Sequence, residues 1–339
     1  MKALVLKDYK KFEVEDVPTP EIGPEDVLIR VKACSICGSD VHGMDGSTGR
    51  RIPPIIMGHE ASGVIDKTGS NVRNFKPGDR VTFDSTIYCG KCYYCFNGKI
   101  NLCDNRRVLG VSSSEYRQNG AFAEYVAVPQ HVLYRIPDTV SFERAAMVEP
   151  LSIALHALNR TSLKLNDNVV VVGAGMIGLL IIQLLINAGC GKVIAVDIDP
   201  DKLQLAKKFG AFAGIKADGG NVAEEIYNIT KNRGAEVVGI SSTLDIAVKC
   251  LKKGGLATIV GNLSPVVELP LQLVVTREIT LNGSCASAGE YERCLDMIAG
   301  GAVDIDTFIS AVAPLEEGAA WFKRLYDKEP GLMKVILKP

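Results

Sequence analysis

Val169-Val-Val-Val-Gly173-Ala-Gly175-Met-Ile-Gly178, with Val193-Ile-Ala-Val-Asp197 about twenty residues on, decides the fold of much of this chain. Four consecutive valines predict a strand buried on both faces, and the apolar run Met176–Asn187 behind them predicts a helix. A second strand at Lys192–Asp197 and a second helix at Pro200–Phe209 repeat the alternation, which signals an α/β fold with a parallel, doubly wound sheet. Further strands are predicted at Val237–Ile240, Leu256–Val260 and Ile279–Asn282. A helix from Gly289 to Ala299 and a closing strand at Lys334–Leu337 complete this part.

The glycines fit G-x-G-x-x-G, a pattern that carries weight only between a strand and a helix, where it stands here. Gly173 permits the tight turn, Gly175 lets a pyrophosphate approach the backbone, and Gly178 lets helix and strand pack closely. Met176 and Ile177 open the helix, whose free N–H groups and partial positive charge favour phosphate. Asp197 ends the second strand, where a carboxylate accepts from ribose hydroxyls and repels a 2′-phosphate, so NAD is favoured over NADP. Lys202, on the helix that follows, is grouped with the cofactor contacts. The expectation is a Rossmann-type NAD-binding domain.

Outward from this motif the texture changes. The 339 residues allow about two domains. Short alternating runs at Ala3–Leu6, Val27–Val31 and Gly63–Asp66, separated by Pro, Gly and Asp turns, make the N-terminal part β-rich, like a barrel or sandwich. With 47% of residues apolar a sizeable core is available, and a formal net charge of −1 argues against a nucleic-acid-binding surface. No apolar run reaches a membrane span, and the first residues carry charges too early for a signal peptide. The expected compartment is the cytoplasm, with no membrane or nucleic-acid partner. The ten cysteines are then metal ligands or reduced thiols before they are disulfides.

Cys89, Cys92, Cys95 and Cys103 form C-x2-C-x2-C-x7-C in a polar loop, an arrangement that wraps a tetrahedral zinc with no open position. That zinc is structural, in a lobe spanning roughly residues 86–106 that metal rather than packing would order. Ferredoxin clusters use other spacings. A zinc ribbon for nucleic acid is the competing reading, supported only by Lys91, Lys99, Arg106 and Arg107.

Two more segments hold metal-competent groups: Cys37-Gly-Ser39-Asp40-Val-His42 and Gly58-His59-Glu60-Ala-Ser-Gly63. Glu149 follows in Met147-Val-Glu-Pro-Leu-Ser152. The pattern Gly58-His-Glu-x2-Gly63-x5-Gly69-x2-Val72, together with the cysteine lobe, resembles the zinc-containing medium-chain dehydrogenase/reductase family over essentially the whole chain. Met147–Ser152 is similar to its polyol branch, the sorbitol, iditol or galactitol-1-phosphate type.

The resemblance implies a GroES-like catalytic domain from 1–152 and 287–339, with a Rossmann domain at 153–286. It implies a catalytic zinc on Cys37, His59 and either Glu60 or Glu149, the other carboxylate contacting substrate or water. Asp40 would orient His59, Ser39 would take the substrate proton, and His42 would pass it on. Lys334 corresponds to a basic residue near the pyrophosphate, a solvated strand-edge lysine being the plain alternative. Pairing of sheet edges through Ile279–Gly283 would give a homodimer or homotetramer. Implied altogether are two zinc ions per chain, NAD and hydride transfer from a secondary alcohol, a polyol or sugar alcohol, free or phosphorylated.

Two positions depart from sorbitol dehydrogenases: Gly43, where an aromatic residue is usual, and Ser284-Cys-Ala-Ser287, which lacks an arginine. Arg50 and Arg51 form a charge pair suited to a substrate phosphate, or else a solvated turn. L-threonine 3-dehydrogenase or a simple secondary-alcohol dehydrogenase is the near alternative. A non-catalytic zinc- and nucleotide-binding protein is the remote one, and it would have no use for Cys37, His59 and Ser39 together.

Overall fold

A computed structural model describes residues 1–112, 117–218, 220–239, 244–261 and 266–339. The chain divides into two compact units, Met1–Pro150 with Ser287–Pro339, and Leu151–Ala286.

In the second unit a six-stranded, wholly parallel sheet runs Ala213–Lys216, Val193–Asp197, Val169–Val172, Glu236–Gly239, Leu256–Ile259, Thr280–Gly283. Counted along the chain this is the order 3-2-1-4-5-6 of a doubly wound nucleotide-binding sheet. The central strand is the quoted valine run, buried throughout. Each such side chain taken from water contributes about 1.5–3 kcal/mol at most. Behind it, helix Met176–Asn187 is buried continuously from Gly178 to Leu185, which is why its sequence shows no polar face. Predicted strands and observed ones differ by a residue or so at their ends, and Ile240 lies outside the described residues.

The first unit is β-rich. Its largest sheet follows the order Leu133–Arg135, Arg80–Phe83, Glu60–Thr68, Asp26–Ser35, Lys334–Lys338, Ile309–Pro314, and Tyr125–Pro129 also pairs with Asp26–Ser35. Lys2–Asp8, flanked by Lys11–Asp16 and Ile55–Ile56, forms a smaller sheet. Leu4, Leu6, Ile29, Met57, Phe83, Phe122 and Leu337 belong to its core. The helix expected from about Gly289 starts at Tyr291, and a further helix, Gly318–Tyr326, follows it. Gly289 has φ +96, a left-handed conformation that no helix can include.

Asp84 lies inside this unit, 2% exposed, accepting from the Thr86 N–H at 2.8 Å and the Ser287 hydroxyl at 3.0 Å. Burial nevertheless pushes its carboxyl up to about 6. The folded value exceeds the unfolded one, so the ionised carboxylate costs stability above about pH 6, a cost relieved as pH falls. Asp84→Asn keeps both contacts without the charge. It is expected to stabilise the protein by about 2 kcal/mol at pH 8, with the gain shrinking towards pH 5. Thermal melts of both proteins at the two pH values check this; a pH-independent difference contradicts it.

Candidate active site

Strand pairing assembles the site. Ser35 stands opposite Glu60 on one side and Ile336 on the other, with Ile36 donating to the Val335 carbonyl at 2.9 Å. Cys37, two residues past the end of one strand, His59 and Glu60 at the start of the next, and Lys334 thereby share one locality. Gly58 is required in front of His59: its φ is +96, and a Cβ there would lie 2.8 Å from Cys34 Sγ and the Phe122 nitrogen. Gly63 is required behind, where a Cβ would come within 2.2 Å of the Arg30 carbonyl.

The metal-competent atoms of Cys37, His59 and Glu60 lie within 4.8 Å of one another. His59, Glu60 and Asp40 are buried, whereas Ser39 and His42 on helix Gly38–Gly43 are exposed, so the site has a closed floor and an accessible mouth. Asp40 Oδ2 is 3.4 Å from His59 Nδ1, and Ser39 Oγ is 3.5 Å from His59 Nε2. Burial opposes charge on both partners. His59 nevertheless lies well above the ordinary imidazole range because of Asp40 and Cys37, and Asp40 is held well below the usual carboxylate range by His59 and Arg51. Such a site draws positive charge towards His59. Glu60 Oε1 is buried with no hydrogen-bond partner. Thiol, imidazole and an orphaned carboxylate oxygen fit a zinc of the open, three-ligand kind.

Glu149, on helix Val148–Asn159, is not among the three gathered ligands, although His59 and Glu60 act on it electrostatically. Loss of hydration chiefly pushes its carboxyl up to about 8.

Two expectations are corrected. Lys334 is not at a solvated edge. It is 1% exposed, and its ammonium donates to Glu60 Oε2 at 2.6 Å and the Ile36 carbonyl at 3.2 Å, because its strand pairs inside the sheet. Burial works against its charge, and Glu60 more than compensates. Ser35 also donates to Glu60 Oε2. Arg51 is no phosphate grip: it is 4% exposed and donates twice to Asp40. Only Arg50 of that pair is exposed.

Cys89, Cys92, Cys95 and Cys103 form the second cluster. Of residues 86–106 only Thr86, Asn101 and Cys103 are buried, while Tyr93 and Phe96 are more than 70% exposed, so no apolar core orders the lobe. Backbone N–H groups point at sulfur instead: that of Cys89 lies 3.2 Å and that of Asn105 3.4 Å from Cys103 Sγ. The N–H of Lys91 chiefly lowers the Cys89 thiol to about 6, whereas burial raises Cys103 to about 12. A bound dication is what would let all four ionise together.

At the glycine turn, Gly173 has φ +97 and a Cβ on Gly178 would lie 1.9 Å from the Gly173 carbonyl. A Cβ on Gly175 would meet nothing within 4 Å, so the space beside it is open to a ligand. A cavity of about 170 Å³ lined by Gly173, Ile177, Gly178, Val238 and Gly239 opens there. Asp197 caps the turn, accepting from the Ala174 N–H at 2.6 Å, and Lys202 pairs with Asp199 at 3.6 Å.

Comparison with known proteins agrees with this geometry. Residues 23–138 match the alcohol dehydrogenase GroES-like domain, and 177–300 match the zinc-binding dehydrogenase model. Sorbitol dehydrogenase of Bacillus subtilis is 34% identical over 348 aligned positions, covering 100% of this chain and 97% of that protein. The chain belongs to the zinc-containing medium-chain dehydrogenase family. Among solved structures, galactitol-1-phosphate dehydrogenase of Escherichia coli superposes with a TM-score of 0.92 at 27% identity, covering 100% of both chains. A Sinorhizobium meliloti protein solved with NADP gives 0.90 at 34% identity, covering 100% of this chain and 99% of its own.

Cys103→Ser tests the lobe. The variant is expected to lose about one zinc per chain and to become cleavable by protease within 86–106. Retention of all zinc, or a protease pattern like that of the parent, contradicts a structural metal there.

Proposed function

We propose that this family member oxidises a secondary alcohol of the polyol class, free or phosphorylated, to a ketone, with NAD as hydride acceptor. The observation that carries the proposal is the gathering of Cys37, His59 and Glu60 beside an accessible Ser39. Cys37, His59 and a carboxylate, Glu60 in the arrangement seen, would hold the zinc, and the four-cysteine lobe a second one. Zinc bound there supplies Lewis acidity towards an alcohol oxygen.

The chain's own residues do the rest. Asp40 orients His59 through Nδ1, leaving Nε2 for the metal. Ser39 receives the hydroxyl proton, and His42, also exposed on the same short helix, passes it to solvent. Asp197 accepts from the adenosine ribose and disfavours a 2′-phosphate. The names of the relatives, sorbitol and galactitol-1-phosphate dehydrogenase, support the polyol class.

As partners we propose only a small-molecule alcohol and a second copy of the chain, in a homodimer or homotetramer. Thr280–Gly283 is the edge strand of its sheet, and Val266, Leu271 and Val275 shortly before it are strongly exposed. No described helix is long and apolar enough to cross a membrane. For the compartment we propose the cytoplasm, a reading that ten cysteines all present as thiols support.

A panel of hexitols, their phosphates, inositols, threonine and simple secondary alcohols, followed by nicotinamide absorbance with NAD and with NADP, tests the proposal. Turnover of a polyol with NAD preferred is expected, and Asp197→Ala should erode that preference. Turnover of none, or of threonine alone, overturns the substrate class; a preference for NADP overturns the cofactor.

A further inference from the structure

We infer that Arg51, given room by Gly43, is a positioning residue of the open zinc site, holding Asp40 against His59 and fixing Ser39 beside it. Its guanidinium donates to Asp40 Oδ1 through Nε at 3.2 Å and Nη2 at 2.8 Å, and Nη2 lies 3.4 Å from Ser39 Oγ. The other oxygen of Asp40 faces His59 Nδ1 at 3.4 Å, a charge contact in which neither buried atom has another partner among the described residues and no hydrogen bond is formed. Two donors on Oδ1 leave Oδ2 for the imidazole, so the chain Arg51–Asp40–His59 sets the ring's tautomer and aim from the third position back. The same nitrogen that secures Asp40 also reaches the exposed hydroxyl assigned the substrate proton.

A guanidinium buried to 4% exposure is costly unless paired, and each nitrogen of this one has an acceptor: Nη1 is 3.4 Å from the Arg50 carbonyl. Its stem occupies the place a side chain at position 43 would take. A Cβ built on Gly43 would lie 2.6 Å from Arg51 Cγ. Gly43 and Arg51 are therefore one feature: the absent side chain at position 43 makes room for the arginine stem. A lysine could supply the charge at Asp40 but not two donors in a fixed plane.

This inference rests on the proposed zinc at Cys37 and His59, and the test separates the two. Zinc retention against a chelator is measured for the parent, R51M, R51K, G43A and R51M/G43A, with the cysteine-lobe zinc as internal reference, alongside kcat and KM. R51M is expected to weaken the open-site zinc by about tenfold to a hundredfold, leaving the lobe zinc unchanged. It should lower kcat more than it raises KM. R51K should recover part of the loss. G43A, by displacing Arg51, should show a milder form of the same defect, and the double variant should be no worse than R51M, because the space is then free. Unchanged zinc retention in R51M, or defects of R51M and G43A that add, overturns the inference. Should R51M fail to fold, G43A and R51K decide it by the same readouts. A parent with zinc in the lobe alone overturns the proposed site itself, and this inference with it.

Discussion

The buried ion pair of Lys334 with Glu60 is the constraint on which the rest of the site depends. Lys334 and Glu60 are almost wholly out of water, and each lies on a strand flanking Asp26–Ser35. Breaking such a pair by removing one partner costs about 3–5 kcal/mol, because the other charge is left stranded. A slip of one residue in either flanking strand would turn one partner to the opposite face of the sheet. The pair therefore locks the register that places His59 beside Cys37, and it ties the last strand of the chain to a strand formed far earlier.

The floor of the site alternates in sign. Arg51 backs Asp40, Asp40 backs His59, and Lys334 backs Glu60, leaving thiol, imidazole and one carboxylate oxygen turned towards each other. His59 and Glu60 are thus each backed by a group that is itself held. Such outer contacts determine how closely a metal site keeps its geometry when substrate exchanges at the open position. The lobe works differently: with hardly a buried apolar side chain, it has sulfur-directed N–H groups, and four gathered thiols that a metal would bind, in place of a core.

Local spacing made part of this legible in the sequence. The glycine turn is read within ten residues because a strand, three glycines and a helix each dictate local backbone geometry, and Gly178 has no room for a Cβ. The cysteine lobe is equally local. The surroundings of Lys334 and Arg51 are hidden from the sequence for opposite reasons. Lys334 meets its partner 274 residues away, so nothing in its neighbourhood announces burial. Arg51 stands beside Arg50 and looks like half of an exposed pair, yet its partner Asp40 is eleven residues back, across a turn that the sequence pattern does not specify. The unusual Gly43 was the available signal, since a missing side chain next to a helix asks what fills the space. Gly289 carried a similar signal against helix, and its positive φ explains the later start at Tyr291.

We propose that one chain holds two zinc ions in sites of different kind. Anomalous diffraction at the zinc edge, from crystals of the purified protein, tests it most directly. Two peaks per chain are expected, one enclosed by Cys89, Cys92, Cys95 and Cys103 and one against Cys37 and His59 with a carboxylate. A single peak in the cysteine lobe of a preparation that still oxidises alcohol would contradict it.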